Sequence, residues 1–86
     1  MQKVNKITPL ENYRLLLEFN NGELRIYDMS GKLTGVFEYL QNPEHFASVQ
    51  LVRGAPTWYP PGSDMEIDLC PDALYMRSMP AEEVIL

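Results

Sequence analysis

Three carboxylates stand at alternating positions in the C-terminal third of the sequence. Asp64, Glu66 and Asp68 have the i, i+2 and i+4 spacing with which a calcium-binding loop begins. Such a loop also needs glycine at its sixth position and glutamate at its twelfth, where this chain has Leu69 and Tyr75. An extended strand would place the three acids together on a solvated face without any metal. We therefore predict no metal site and no cofactor.

Histidine and cysteine, which often carry acid–base and nucleophilic chemistry, each occur once. No nucleophile motif surrounds Ser48 or Ser63, which His45 would have to recruit for a catalytic triad. The acidic neighbours of Cys70 disfavour the thiolate that a reactive cysteine needs. We predict that His45 lies at the surface and that the chain is not an enzyme.

The same acids leave one alternative open. A small-molecule or metal-binding domain, or a minor enzyme, could use the acidic residues of the 64–72 stretch, with Asp28 as a further carboxylate. That function requires the carboxylates to converge in a concave pocket, with at least one strongly perturbed pKa.

Length and composition predict one small domain over residues 1–86. Apolar residues make up 45% of the chain, enough for a core, but a chain this short buries only about 60–65% of its unfolded surface. Stability is therefore expected to be marginal, and a homodimer or a protein partner would increase it. The N-terminus carries no apolar run, no stretch reaches the length of a membrane span, and the single cysteine forms no internal disulfide. The expected compartment is the cytoplasm, with no membrane association.

Charge is unevenly distributed along the chain, whose net charge is −5. Residues 1–33 carry five basic and four acidic side chains, a balance of +1, whereas residues 64–86 carry six acids and one arginine, a balance of −5. Phosphate binding needs clustered lysine and arginine, so we predict no direct binding of nucleic acid. The acidic C-terminal third is either a solubilising surface or one complementary to a basic protein partner.

The elements that must position these residues begin with a β-hairpin. Apolar residues alternate over residues 13–19 and again over residues 24–27, as in half-buried strands. Asn21-Gly22 between them is typical of a two-residue type I′ turn. A preceding strand over residues 3–9 is expected to end at Pro9 and to need a bulge, because its apolar residues are three positions apart.

The turn length decides the register of this hairpin. A two-residue loop pairs Phe19 with Leu24 and leaves apolar residues opposite one another, whereas a three-residue loop pairs Leu17 with Arg25. Because a slip of one residue moves an apolar set to the wrong face, we predict the two-residue loop. In that register Leu16 and Tyr27 face each other on the reverse side of the sheet and are candidates for a partner surface.

Short helices and strands are predicted in the rest of the chain. Val36–Leu40 has the spacing of one helical turn, and Pro71–Tyr75 has a proline suited to a helix start. Asn42 is a good N-cap for a helix over Pro43–Ala47. Extended segments are expected at residues 49–53, 57–59 and 66–69. The predicted fold class is α+β, with a small antiparallel sheet built on the N-terminal hairpin and two or three short helices.

The loop after Trp58 is the best candidate for an exposed surface. Tyrosine and tryptophan are common interface anchors, and we predict that Trp58 fills the core while Tyr59 points outward. Tyr59, Pro60 and Pro61 would then form a partner-facing edge beside Asp64. The tail over residues 78–86 ends in three apolar residues, which we expect to pack on this domain or on a neighbour.

The order and spacing of several segments resemble the domain of unknown function 2442 family of small bacterial domains, over about residues 3–77. These segments are Val4 with Pro9-Leu10, Tyr13-Arg14-Leu15-Leu16-Leu17-Glu18-Phe19, Asn21-Gly22-Glu23, Tyr27-Asp28, Gly35-Val36-Phe37, Asn42-Pro43-Glu44 with Phe46, Trp58 and Pro71-Asp72-Ala73-Leu74-Tyr75. The chain departs from the family pattern at residues 59–66, where its loop is longer.

The resemblance implies a small α+β domain without an established activity. Relatives can be fused to a helix-turn-helix module or encoded beside another small protein, in pairs that look like toxin–antitoxin modules. No helix-turn-helix module follows Tyr75, so DNA binding is not carried over. We expect a bacterial, non-catalytic interaction or regulatory module, which binds a protein partner or self-associates as a homodimer.

Overall fold

The computed structural model describes residues 1–82, which form short strands and short helices. The strands are β1 (Val4–Leu10), β2 (Arg14–Phe19), β3 (Leu24–Asp28), β4 (Gln50–Val52), β5 (Ala55–Trp58), β6 (Ile67–Asp68) and β7 (Met79–Pro80). The α-helices are α1 (Pro43–Ala47) and α2 (Pro71–Arg77), and 3₁₀ helices cover Glu11–Tyr13 and Gly35–Gln41. No helix among these residues is long and apolar enough to cross a membrane.

The strands form two antiparallel sheets. The first, sheet A, has the order β1-β2-β3-β7, and the second, sheet B, has the order β4-β5-β6. Every strand pair in both sheets is antiparallel. The predicted α+β class is confirmed. The three strands between α1 and α2 form a sheet of their own, whereas β7 returns to sheet A.

Both α-helices begin where the sequence predicts. The Asn42 side chain accepts a hydrogen bond from the Glu44 N–H at 2.9 Å, and Pro43 occupies the first turn of α1. Pro71 starts α2 in the same way, although its N-cap residue Cys70 makes no side-chain capping bond. Proline is tolerated at this position because its missing N–H would have no partner inside the helix.

The hairpin loop between β2 and β3 contains three residues, and the predicted two-residue loop is wrong. The Gly22 N–H donates to the Phe19 carbonyl and the Phe19 N–H donates to the Glu23 carbonyl, both at 2.9 Å. Asn20 and Asn21 are the central residues of the turn. Gly22 follows them with φ of 87°, and this residue in the left-handed conformation makes the loop three residues long. This arrangement pairs Leu17 with Arg25.

A charged residue opposite Leu17 is stable because Arg25 has its own partners on the core face. Its guanidinium donates to the Ser78 hydroxyl at 2.8 Å and to the Ser78 carbonyl at 2.6 Å. It also forms an ion pair with Glu23 at 3.1 Å and lies 4.8 Å from the centre of the Tyr75 ring. These contacts connect β3 to the end of α2, 53 residues later in the chain.

The three-residue loop also separates two residues that we predicted to face each other. Tyr27 pairs with Leu15 and is buried in the core, whereas Leu16 pairs with Ile26 on the other side of sheet A. The predicted Leu16–Tyr27 pair is therefore wrong, because adjacent residues of a strand point to opposite faces.

β1 joins the two sheets. Its pairing with β2 shifts between Val4 and Lys6, which confirms the predicted bulge and lets Val4 point into the core. Pro9 does not end the strand, which continues to Leu10 because an edge strand tolerates a missing N–H. The Val4 N–H donates to the Gly54 carbonyl at 2.9 Å, next to the turn between β4 and β5.

The core lies between the two sheets and the helices. Trp58 is fully buried, as predicted, and its indole N–H donates to the Phe46 carbonyl at 2.9 Å. Side chains from both sheets and both α-helices form one cluster, which includes Leu15, Leu17, Phe19, Phe46, Trp58, Ile67 and Leu74. The expected packing of the tail at Val84-Ile85-Leu86 concerns residues outside the described part of the chain.

Candidate functional site

The loop from Tyr59 to Glu66 connects β5 to β6. It is closed by the pair Trp58–Ile67, in which both side chains are buried. The Ser63 N–H donates to the Pro60 carbonyl at 3.3 Å, and Gly62 has φ of 75°. A proline followed by a glycine at positive φ is the composition of a type II turn, which gives this part of the loop a defined shape.

The loop exposes two large apolar side chains among carboxylates. Tyr59 is 45% exposed and Met65 is 48% exposed. Asp64, Glu66 and Asp68 are also exposed. We call the exposed residues from Tyr59 to Asp68 the loop surface; its chemistry is that of an apolar anchor bordered by negative charge.

The six residues predicted to bind a partner lie in three places. Tyr59, Pro61 and Asp64 belong to the loop surface, and Pro60 lies in the same loop but is half-buried. Leu16 is half-buried on the face of sheet A that points away from the core, and Tyr27 lies in the core.

A groove of about 470 Å³ lies beside the loop surface, between the N-terminal residues and sheet B. Glu66, Asp68 and Asp72 line it together with Lys3 and Arg53, so both signs of charge are present. Asp28 lines a different groove, next to Arg14 and Lys32. Within residues 1–82, no three His, Cys, Asp or Glu side chains are grouped so that they could hold a metal ion.

The single histidine and the single cysteine lie on different helices, His45 in α1 and Cys70 at the start of α2. His45 is half-buried in α1, where its ring stacks on Tyr39 at 4.1 Å and its Nδ1 lies 2.9 Å from the Tyr39 carbonyl oxygen. Cys70 is exposed at the start of α2. His45 thus packs against the 3₁₀ helix that precedes α1, and Cys70 lies at the start of a different helix, where it makes no side-chain capping bond.

Asp28 has a pKa below its ordinary value. The main cause is a hydrogen bond from the Ser30 N–H, at 2.8 Å, followed by one from the Ser30 side chain. The positive charges of Lys32 and Arg14 lower the pKa further. Asp28 thus stabilises the turn after β3 as a carboxylate.

This lowered pKa predicts a pH dependence of stability. The contribution of Asp28 is present above its unfolded pKa of about 3.9 and is lost as the pH falls through the lower folded value. Thermal melts of the wild type and of Asp28→Asn between pH 6 and pH 2.5 should show a smaller acid-induced loss of Tm in the variant. Ser30→Ala keeps the backbone donor and should retain most of the wild-type slope; equal slopes in wild type and Asp28→Asn would contradict the assignment.

Sequence reasoning missed part of the exposed apolar surface. Met65 is one such residue: β6 begins only at Ile67, so Met65 lies in the loop with its side chain 48% exposed. The exposed side chain of Met79 was missed because β7, a strand of two residues, gives no sequence signal. The exposed side chain of Leu24 was missed because the wrong hairpin register placed Leu24 in the core. The three-residue loop would have identified Leu24 as an outward-facing residue.

Comparison with known protein families identifies the chain. The model of the family described as "Protein of unknown function (DUF2442)" matches residues 4–80. The matched range extends from the start of β1 to the end of β7, and so includes both sheets and both α-helices. Neither the search of curated proteins nor that of solved structures gave a match. With nearly its whole length matched, the chain belongs to the DUF2442 family of proteins of unknown function.

Proposed function

We propose that this chain is a non-catalytic protein-interaction module whose loop surface binds a basic region of a partner protein. The observation that supports this most is the exposure of Tyr59, 45%, on a loop of defined shape. Tyrosine is enriched among residues that contribute most to binding, because it offers a large contact area at little cost in conformational entropy.

The charge of the surrounding residues favours a basic partner. Asp64, Glu66 and Asp68 are exposed beside the apolar side chains, and residues 64–86 have a net charge of −5 from six acids and one arginine. Charges at the rim of an interface steer association and increase its rate more than its final affinity. An apolar centre with an acidic rim is therefore suited to a partner with an apolar pocket bordered by lysine or arginine.

We infer further that the partner is the second member of a two-protein bacterial pair of the toxin–antitoxin kind, encoded beside this chain. The support is the family resemblance together with the acidic surface, which would complement a small basic protein. The two chains should co-purify when expressed together.

Tyr59→Ala is expected to weaken this complex at least tenfold while leaving the free energy of unfolding within about 0.5 kcal/mol, as for most surface substitutions. The adjacent gene product should be purified and its dissociation constant measured by calorimetry against wild type and variant. Val36→Ala is the matched control, since Val36 is 59% exposed but lies in a 3₁₀ helix outside the loop surface.

The acidic rim makes a separate prediction for the same measurement. Asp64→Asn combined with Glu66→Gln should lower the association rate and reduce its dependence on salt. A dissociation constant unchanged by Tyr59→Ala would place the partner elsewhere on the molecule. A large loss of stability in Tyr59→Ala would assign the side chain to the core.

A further inference from the structure

One side of sheet A points away from the core, and we call it the reverse face. The pairings of β1, β2, β3 and β7 place its residues in three rows across the strands. The middle row begins with Thr8 and is otherwise apolar, and each of the two rows beside it has a charged residue on β2. The rows are Lys6-Glu18-Leu24, Thr8-Leu16-Ile26-Met79 and Leu10-Arg14-Asp28.

The reverse face exposes apolar surface that the core face does not. Leu15 and Leu17 of β2 are fully buried against the helices and sheet B, whereas Leu16 between them is only half-buried. Leu24 is 49% exposed and Met79 is 51% exposed. A groove of about 260 Å³ lies on this face, lined by Leu16 and Leu24 with Lys6, Thr8 and Glu18.

The charges on β2 make this face complementary to a second copy of itself. Along β2 the outward residues are Arg14, Leu16 and Glu18, a positive, an apolar and a negative side chain in order. A two-fold axis through Leu16 that runs across the strands places Leu16 on Leu16 and Glu18 on Arg14 of the second copy. Since the axis is two-fold, this ion pair forms twice.

Electrostatics distinguishes this arrangement from the other two-fold stacking of the same faces. An axis along β2 would place Glu18 on Glu18 and Arg14 on Arg14, which is repulsive at both ends. The axis across the strands avoids both repulsions. Stacked sheets lie about 10 Å apart with their strands within about 30°, and residues 14 and 18 are each about 7 Å along the strand from residue 16, so the long side chains can meet.

We propose that the reverse face of sheet A is a homodimer interface, in which Leu16 packs on Leu16 and Glu18 pairs with Arg14 of the second copy. The middle row, with Ile26 and Met79, then lies on its own symmetry-related copy. The interface covers Leu16, which is half-buried in the single chain, and Met79, which is 51% exposed, whereas Ile26 between them is already buried. It is independent of the loop surface on sheet B.

The test uses two single variants with opposite charge patterns. Glu18→Arg gives a chain with two positive positions on β2, and Arg14→Glu gives one with two negative positions. Each variant alone would place like charges opposite each other, which should weaken self-association at least about tenfold. An equimolar mixture should recover the dimer, because both symmetry-related contacts then join opposite charges.

Mass is measured by sedimentation at about 100 µM, well above micromolar dissociation constants. The wild type should have twice the 9.9 kDa of one chain, each variant one chain mass, and the mixture again twice. Glu44→Arg is the matched control, because Glu44 is an exposed acid on α1, and it should remain dimeric. Leu16→Lys should be monomeric both alone and in a mixture with either charge variant.

Folding of each variant is verified by its thermal melt, since the new charge at position 18 lies beside Lys6 and that at position 14 beside Asp28. A monomeric wild type would overturn the proposal, as would variants that remain dimeric. Two folded monomeric variants that fail to recombine would overturn the pairing of Glu18 with Arg14.

Discussion

Trp58→Ala is expected to lower the free energy of unfolding by about 3–5 kcal/mol, as large aromatic-to-alanine changes do in well-packed cores. Trp58 is fully buried, and its ring centre lies 6.1 Å from that of Phe46. It stands in β5 of sheet B but belongs to the cluster that includes Leu15 and Leu17 of sheet A. Alanine would therefore leave a cavity where the two sheets meet.

The size of this loss decides whether the variant folds. Small domains have unfolding free energies of about 5–15 kcal/mol, and this chain should lie near the lower limit. Denaturant unfolding followed by circular dichroism measures the change, and the variant is expected to be largely unfolded at 37 °C. The neighbouring substitution Tyr59→Ala is the control, because that side chain is exposed and its loss should cost about 0.5 kcal/mol or less.

Trp58→Phe separates the indole hydrogen bond from the packing. It keeps most of the apolar volume but leaves the Phe46 carbonyl without the donor that lies 2.9 Å away. An unsatisfied buried acceptor costs about 1–3 kcal/mol, so this variant should lie between wild type and Trp58→Ala. A loss below 1 kcal/mol in Trp58→Ala would mean that Trp58 does not hold the sheets together.

Much of the fold follows from local sequence signals. The Asn42-Pro43-Glu44 segment contains its own capping bond and helix start, and it forms α1 at the predicted residues. Alternation of apolar residues correctly indicates β2, whose residues 15, 17 and 19 are all fully buried. These features depend on neighbours within a few positions of each other, and for that reason the sequence alone reveals them.

The hairpin register depends on a contact that no local pattern contains. Opposing Leu17 with Arg25 looks unfavourable until Ser78, 53 residues away, supplies two hydrogen-bond acceptors for the guanidinium. The turn with two positive φ angles that Asn21-Gly22 predicts occurs instead at Arg53 and Gly54, with φ of 55° and 80°. Arginine is not favoured in this conformation, so sequence preferences gave no indication of it.

The backbone strain in the turn between β1 and β2 could not be predicted from the sequence either. Asn12 and Tyr13 have φ of 61° and 60°, in succession, and a bulky residue seldom adopts this conformation. Tertiary contacts hold Tyr13 there: its ring lies edge-on to Phe46 at 5.5 Å, and its hydroxyl donates to the Gln41 carbonyl. Only the folded arrangement of α1 and the preceding 3₁₀ helix provides these contacts.

The candidate site also has a part that local sequence signals predict and a part that depends on the strand register. Strand alternation correctly predicts that Trp58 and Tyr59 point to opposite sides, with Trp58 buried and Tyr59 exposed, because the two residues are neighbours in sequence. Leu16 and Tyr27 were predicted to face each other only because of the two-residue loop. In the observed register they lie on opposite faces of sheet A. The sequence contains the charge pattern of the reverse face, but only the register shows that the half-buried side chains of Arg14, Leu16 and Glu18 lie together on the side of sheet A that points away from the core.

Gly54→Ala is expected to destabilise the protein by about 2–4 kcal/mol, although it adds a single methyl group. Two costs add together. Gly54 has φ of 80°, a conformation that alanine adopts only under strain, and an added Cβ would lie 2.8 Å from the Lys3 Cβ and 3.4 Å from the Lys3 Cα. The β4–β5 turn would have to move away from β1, which would weaken the hydrogen bond from the Val4 N–H to the Gly54 carbonyl.

Denaturant unfolding with two further variants separates these costs. Gly31→Ala is the control, because no atom lies within 4 Å of its added Cβ and its φ is not positive, so its stability should be close to that of the wild type. Lys3→Gly removes the atoms that clash, so Gly54→Ala should cost less in that background, and the part that remains measures the backbone strain. Equal costs with and without Lys3 would show that the two sheets do not meet at this contact, whereas a smaller cost in the double variant identifies the Lys3–Gly54 approach as the place where sheet A constrains sheet B.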